Sequence, residues 1–176
     1  MGEGGAALAC VRGVTIQQLP RSTKMLLQRF AVAEPTAHNA DSMWGLPPNR
    51  SSGSEPVVLW RSPHERMVVA EAASFDAVLA SIEPEIDCHV IDVSHALATL
   101  RLRGVGVPIA LAAEIGVDLA EGRFSEGDCV RTQFAQVHVL LHRRCDERFT
   151  WDLHVDRSLV SYVRDWLIRC AGGRRE

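Results

Sequence analysis

Asp92-Val93-Ser94, Ala98-Thr99-Leu100-Arg101-Leu102, Gly104-Val105-Gly106 and Gly127-Asp128-Cys129-Val130-Arg131-Thr132 follow one another along the chain, and the elements they mark decide the fold. The first follows the short run His89-Val90-Ile91, and the second alternates apolar and polar side chains as a strand does. The glycines supply a turn. Pro108 suits the first turn of a helix in which Ile109, Leu111, Ala112 and Ile115 face a core, and Asp118 with the polar run Glu121 to Asp128 ends it. Two strands come next: Val130 to Arg143, broken or bent near its middle, and Phe149 to Val155, joined across the polar turn Cys145-Asp146-Glu147. Asp156 or Ser158 can cap a closing helix whose apolar set is Leu159, Val160, Val163, Trp166, Leu167 and Cys170, with Gly172-Gly173 as its stop. The charged positions of these strands and helices are expected on outer faces.

Working back from there, Val57-Val58-Leu59-Trp60 and Met67-Val68-Val69-Ala70 flank a polar turn containing Pro63 and read as a hairpin. Ser74 caps a helix to about Ile82, with Phe75, Val78, Leu79 and Ile82 on one side, before Pro84 breaks the chain. Val14 to Leu19 is a short strand ended by Pro20. Lys24 to Phe30 suits either a helix or a strand by period. Thr36 to Trp44 reads as a short helix, and Gly45 to Glu55, rich in Pro, Gly and Ser, as a loop. Residues 14–83 thus repeat the element order of residues 86–171, each half running strand, strand, helix, strand, strand, helix. The expected architecture is α+β, two pseudo-repeated halves related to the ferredoxin-like plan, in a single domain over 14–171. The Gly- and Ala-rich residues 1–13 are expected to be poorly ordered, and 172–176 form a tail.

Composition narrows the function. A net charge of -3 leaves no positive field for nucleic acid or anionic lipid, and Arg174-Arg175 is too short to supply one. No run approaches the roughly 20 apolar residues of a membrane helix. The N-terminus has no basic segment followed by an apolar one of export length, so a cytoplasmic protein is expected. Five widely spaced cysteines, with no Cys-x-x-Cys, suit neither a disulfide framework nor a zinc site. Dinucleotide and phosphate-loop glycine patterns are absent. The four tryptophans fall one to an element, as core or interface anchors do, and no basic surface accompanies them as a base-stacking platform requires.

His138, His142 and His154 can share one face of a sheet, but residues four apart on a strand lie roughly 13 Å apart, too far for one zinc ion. Asp92, Ser94 and His95 contain the residue types of a catalytic triad on one local segment, where Asp and Ser ordinarily satisfy backbone donors. Asp156-Arg157-Ser158 stands at a helix start, the place for a cap. No catalytic, metal or cofactor-binding residue is assigned. Arg131, with Thr132 beside it, is the candidate contact to a ligand or a partner, through a fork of donors suited to a carboxylate or carbonyl; the ordinary alternative is an intrachain ion pair.

The ordered set Asp92-Val93-Ser94, Leu100-Arg101-Leu102-Arg103-Gly104, Asp118-Leu119, Phe124, Gly127-Asp128-Cys129-Val130-Arg131-Thr132 and Asp156-Arg157-Ser158 resembles the gamma subunit of heterotetrameric sarcosine oxidase. That family lies in the folate-binding superfamily typified by the glycine-cleavage T-protein, where an Asp-x-Ser, a strand ending in Gly and a Gly-x-Cys-x-Arg-Thr run recur in this order. The resemblance makes Lys24 to Phe30 a strand. It implies a non-catalytic gamma-type subunit that stabilises a complex active in sarcosine catabolism. That complex demethylates sarcosine oxidatively to glycine, with formaldehyde or methylenetetrahydrofolate and hydrogen peroxide as the other products. The implied partners are larger alpha and beta flavoprotein subunits and a small delta subunit. FAD, FMN, NAD and tetrahydrofolate would sit on those chains, and a zinc on delta. The alternative is a stand-alone folate-like small-molecule binder or an aminomethyltransferase-like enzyme. Against it, Ala135 to Leu141 lacks the Gly pair and the acid with which the T-protein branch holds folate, and no cysteine has the neighbours of the iron-sulfur repair branch.

Overall fold

Strand alternation places apolar side chains on both faces of the molecule's two sheets, and three layers of contact follow from it. A computed structural model describes residues 8–29, 43–82 and 88–172. In chain order these form β1 (Leu8–Val11), β2 (Val14–Gln18), β3 (Thr23–Arg29), a 3-10 turn at Met43–Gly45, β4 (Ser51–Ser52), β5 (Val57–Ser62), β6 (Glu65–Ala70) and α1 (Phe75–Ile82). Then come β7 (Cys88–Asp92), β8 (Leu97–Arg103), α2 (Val107–Ala112), β9 (Cys129–Phe134), β10 (Val137–Arg143), β11 (Thr150–Asp156) and α3 (Val160–Gly172). One sheet has six strands in the order β1-β2-β8-β11-β10-β9, and the other has five in the order β4-β5-β6-β3-β7. Neighbours throughout are antiparallel.

The outer face of the six-stranded sheet, with Ile16, Leu100, Leu102, Leu141, Trp151 and Leu153, packs on Val107 and Leu111 of α2 and on Val163 and Leu167 of α3. On the five-stranded sheet, Met25, Leu27 and Val68 pack on Val78 of α1 and on Trp44. The inner faces meet through Val57, Leu59, Met67 and Val69 on one side and Cys129 and Leu140 on the other. Helices therefore cover two sheets laid face to face. The turn at Gly104 requires its glycine: its φ is +122°, and a Cβ there would lie 2.0 Å from the carbonyl oxygen of Gly13.

Several expectations change. The halves 14–83 and 86–171 do not fold apart, because β2 pairs with β8 and β7 pairs with β3, so each half lends a strand to the other's sheet. The second half carries three strands after α2, not two, since Ala135 (φ 47°) and Gln136 (φ 68°) make a two-residue turn between β9 and β10. Neither is Gly, Asn or Asp, so the hairpin is weakly marked in the sequence. Leu8–Val11, within the stretch expected to be poorly ordered, pairs with β2. The helix expected over Thr36 to Trp44 is described only in its last residues, as the 3-10 turn; Arg66 anchors that turn, its buried guanidinium donating to the Met43 and Trp44 carbonyls at 2.9 and 3.0 Å. Lys24 to Phe30 is strand as far as Arg29, with Phe30 outside the described residues. On the closing helix Leu159 is exposed and Trp166 half-buried, while Val160, Val163, Leu167 and Ala171 carry the packing. Asp156 caps the preceding turn, accepting from the Ser158 amide at 2.8 Å.

Candidate functional site at the seam between the sheets

The Gly127 to Thr132 run, the most distinctive in the sequence, lies where the two sheets meet. Gly127 (φ +82°) turns the chain so that its carbonyl accepts from the amide and hydroxyl of Ser51 on β4, at 2.7 and 2.8 Å. Asp128 pairs with Arg50, and its carboxylate also accepts from the Ser125 amide. The Cys129 amide donates to the Asn49 carbonyl at 2.8 Å. Its thiol, fully buried, contacts the Arg50 and Trp60 carbonyls, and burial pushes it up to about 12, a poor nucleophile. The first three residues of the run therefore staple the sheets together.

Behind this staple, polar side chains fill the inner face of the six-stranded sheet. Asp152 on β11 lies directly across from Arg101 on β8, and the guanidinium donates to both carboxylate oxygens at 2.7 Å. Arg101 also donates to Glu71 at 2.6 Å, and Arg144 donates to Glu71 at 2.8 Å, to Asp152 at 3.2 Å and to Asp146. Burial opposes the charge on Asp152, but the hydrogen bonds and charge of Arg101 hold its carboxyl below the usual carboxylate range. Burial likewise works against Arg101 and Arg144, and their carboxylate partners hold both above the ordinary guanidinium value. Lys24, buried beside this cluster, donates to the Ser22 hydroxyl at 2.7 Å; burial, with the Arg157 charge, lowers it to about 8. The expectation that charged strand positions face outward is therefore corrected for Arg101 and Asp152, which the second sheet and the Glu71 turn cover together with Arg144, just past the end of β10.

His154 and His142 complete the layer. His154 Nδ1 lies 3.0 Å from the Thr99 hydroxyl and His142 Nε2 lies 3.1 Å from that of Ser51, leaving His154 Nε2 and His142 Nδ1 buried without a partner among the described residues. Burial lowers them to about 3 and about 4, so both are neutral near pH 7. His142, Asp152 and His154 bring one ligand atom each within 4.8 Å of one another, a grouping different from the three histidines noted in the sequence. The donor set does not fit a cation: both Asp152 oxygens already accept from guanidiniums, and Lys24 adds a further positive charge.

Arg131 and Thr132 fall on opposite faces of β9, an edge strand, and both border an open groove with Glu114, Gln133 and His138. Arg131 faces the seam beside Leu140, is exposed, and makes no ion pair among the described residues. With Arg61 it also borders a cleft of about 190 Å³ between the sheets. The structure does not bring Asp92, Ser94 and His95 into a relay: Asp92 accepts from the Ser94 amide at 2.9 Å, and the Ser94 hydroxyl accepts from the Lys24 amide at 2.9 Å. Sequence reading missed the Arg101–Asp152 pair. Its signal is the phase of β8 and β11, which puts both residues on one face in register.

The model of the sarcosine oxidase gamma subunit family matches residues 48–172. Among solved structures, the chain is similar to heterotetrameric sarcosine oxidase from Corynebacterium sp. U-96 in complex with pyrrole 2-carboxylate. That match has 21% identity and a TM-score of 0.76, and it covers 96% of this chain and 90% of that one. It is also similar to the glycine cleavage system aminomethyltransferase T from Bartonella henselae, with 13% identity and a TM-score of 0.64, over 90% of this chain and 46% of that one. At such identities the structural likenesses establish the fold. A search of curated protein sequences finds no match.

Proposed function

The chain belongs to the sarcosine oxidase gamma subunit family, and from that premise we propose that it is a non-catalytic subunit which stabilises a sarcosine-oxidase-like complex by packing against larger flavoprotein subunits. The observation that carries the reading beyond family membership is an apolar surface around α2. Ile109 is 80% exposed and Val105 73%, and Pro108, Ile109 and Ala112 border a groove whose far side is Val117 and Leu119. Large apolar side chains this exposed on a short helix and the turn before it favour a surface that a partner covers, since leaving them in water forgoes roughly 1.5–3 kcal/mol per side chain. The same reading assigns the flavins, NAD and tetrahydrofolate to partner chains, with alpha, beta and delta subunits as the partners and the cytoplasm as the compartment. Support for the supporting role comes from chemistry at the seam: the buried thiol is held protonated, and the buried carboxylate is saturated by guanidiniums.

The test is spectroscopic. The purified chain is expected to show no flavin absorbance and no sarcosine oxidation, and both should appear only in the complex. A chain that emerges yellow, or that oxidises sarcosine unaided, contradicts the proposal.

A further inference from the structure

We infer that the cleft between Arg61 and Arg131 is a carboxylate-binding site, with the two guanidiniums at its mouth and His154 in its floor. The cleft lies where β5 and β6 of one sheet meet β9, β10 and β11 of the other, and Met67, Leu97 and Leu140 form its apolar wall. Its charge is unbalanced at short range. Arg131 has no ion pair among the described residues, and Arg61 has only Glu65 at 3.8 Å, beyond hydrogen-bond reach. Burial lowers the Arg61 guanidinium, and the neighbouring Arg131 charge lowers it further against the pull of Glu65. The one acid bordering the cleft among the described residues, Asp156, directs Oδ1 to the Ser158 amide and hydroxyl at 2.8 and 2.6 Å and pairs with neither arginine. Two guanidiniums facing one partly desolvated space repel each other unless an anion lies between them, and their forked donors match a carboxylate.

His154 lines the same cleft. It is only 3% exposed and its Nε2 has no partner among the described residues. In the tautomer whose Nδ1 accepts from the Thr99 hydroxyl, Nε2 carries a buried hydrogen without an acceptor, a cost that an oxyanion in the cleft removes. The volume, about 190 Å³, is below the roughly 300–1,000 Å³ of pockets for drug-sized ligands, so the occupant is a small carboxylate with a short apolar body. The carboxylate can belong to a free molecule or to an acidic side chain inserted by a partner subunit. Binding by the isolated chain does not depend on the subunit reading, because the donors and the wall all belong to this chain; only the inserted side chain rests on it.

Benzoate titrated into the full chain, followed by 15N–1H correlation spectra, tests the assignment, with benzyl alcohol as the uncharged counterpart. Saturable shifts at residues of the cleft are expected, with benzyl alcohol binding at least tenfold more weakly. Arg131→Gln, at an exposed position where folding is unaffected, is expected to weaken benzoate at least tenfold, and Arg61→Gln gives the second check. No saturable benzoate binding, equal binding of the alcohol, or undiminished binding by Arg131→Gln would each overturn the site. Repeating the titration on the assembled complex identifies the source. Retained binding supports a free carboxylate, and binding abolished by assembly supports an acidic side chain of the partner filling the same cleft.

Discussion

The two faces of the six-stranded sheet are equally buried but differently made. Toward the helices stand Leu100, Leu102, Leu141, Trp151 and Leu153; toward the second sheet stand Thr99, Arg101, His142, Asp152 and His154, none more than 5% exposed. Adjacent residues of one strand, Trp151 and Asp152, therefore sit in an apolar core and in an ionic layer. The apolar face gains stability from area removed from water. The ionic layer is stable only while every charge keeps its partner, because desolvated ions lose hydration that only close, hydrogen-bonded partners replace. Glu71 and Ser51 carry this layer's hydrogen bonds across to the second sheet, meeting Arg101, Arg144 and His142.

The largest effects should come from that pair of neighbours. Asp152→Ala removes the buried one of the two carboxylates that Arg101 and Arg144 share, leaving only the more exposed Glu71, and is expected to cost about 3–5 kcal/mol by chemical denaturation. Trp151→Ala opens a cavity in the apolar core, where Trp151 stacks on Phe124 with centroids 5.4 Å apart, and is expected to cost a similar amount, about 3–5 kcal/mol. If Asp152→Ala costs under about 1 kcal/mol, in the range of exposed ion pairs, the ionic face is solvated and the contrast fails.

Acid should separate the faces next. His142 and His154 are lowered by burial to about 4 and about 3, below the roughly 6.5 of an unfolded histidine. The unfolded chain therefore binds more protons as pH falls from about 6.5 toward 4, and stability is lost across that window. At pH 4.5 the loss is on the order of 2 kcal/mol for each histidine. The Asp152 carboxyl, lowered by its guanidiniums, gives up its contribution only at still lower pH. Denaturation midpoints measured from pH 7 to 4.5 should fall steeply, and His142→Asn/His154→Asn should flatten the curve. A slope unchanged in the double variant would place the acid sensitivity elsewhere.

The smallest effect in the series belongs to Trp166, which the helical spacing alone would place in the core. It is half-buried, edge-on to Tyr162 at 6.2 Å and beneath Arg169, so Trp166→Ala is expected to cost about 1 kcal/mol, close to the worth of an aromatic pair. A loss matching that of Trp151→Ala would show that α3 packs more deeply than described.

What was legible in the sequence follows the same division. Apolar periodicity located β8, β11, the β5–β6 hairpin and the helices, because burial against helices leaves a repeating apolar signature. Alternation alone could not tell whether the polar face of β8 and β11 meets water or a second sheet, so Arg101 and Asp152 read as surface. The exchange of β2 and β7 between sheets was also hidden, since pairing partners far apart in sequence leave no local mark. Ala135-Gln136 lacks the usual turn residues, and the hairpin there showed only as an overlong strand. At the candidate site, Arg131 stood out within a distinctive run, whereas Arg61 carried no such context and joined it only through the packing of the sheets.

The central claim is that this chain completes a larger flavoprotein assembly through the α2 surface. Co-expression with the proposed alpha, beta and delta partners, followed by native mass spectrometry, tests it most directly. Wild type is expected to be recovered in the complex, and Ile109→Asp, which charges a side chain 80% exposed in the isolated chain, to be folded but released from it. Wild type found outside the complex, or Ile109→Asp recovered in it as fully as wild type, would contradict the account.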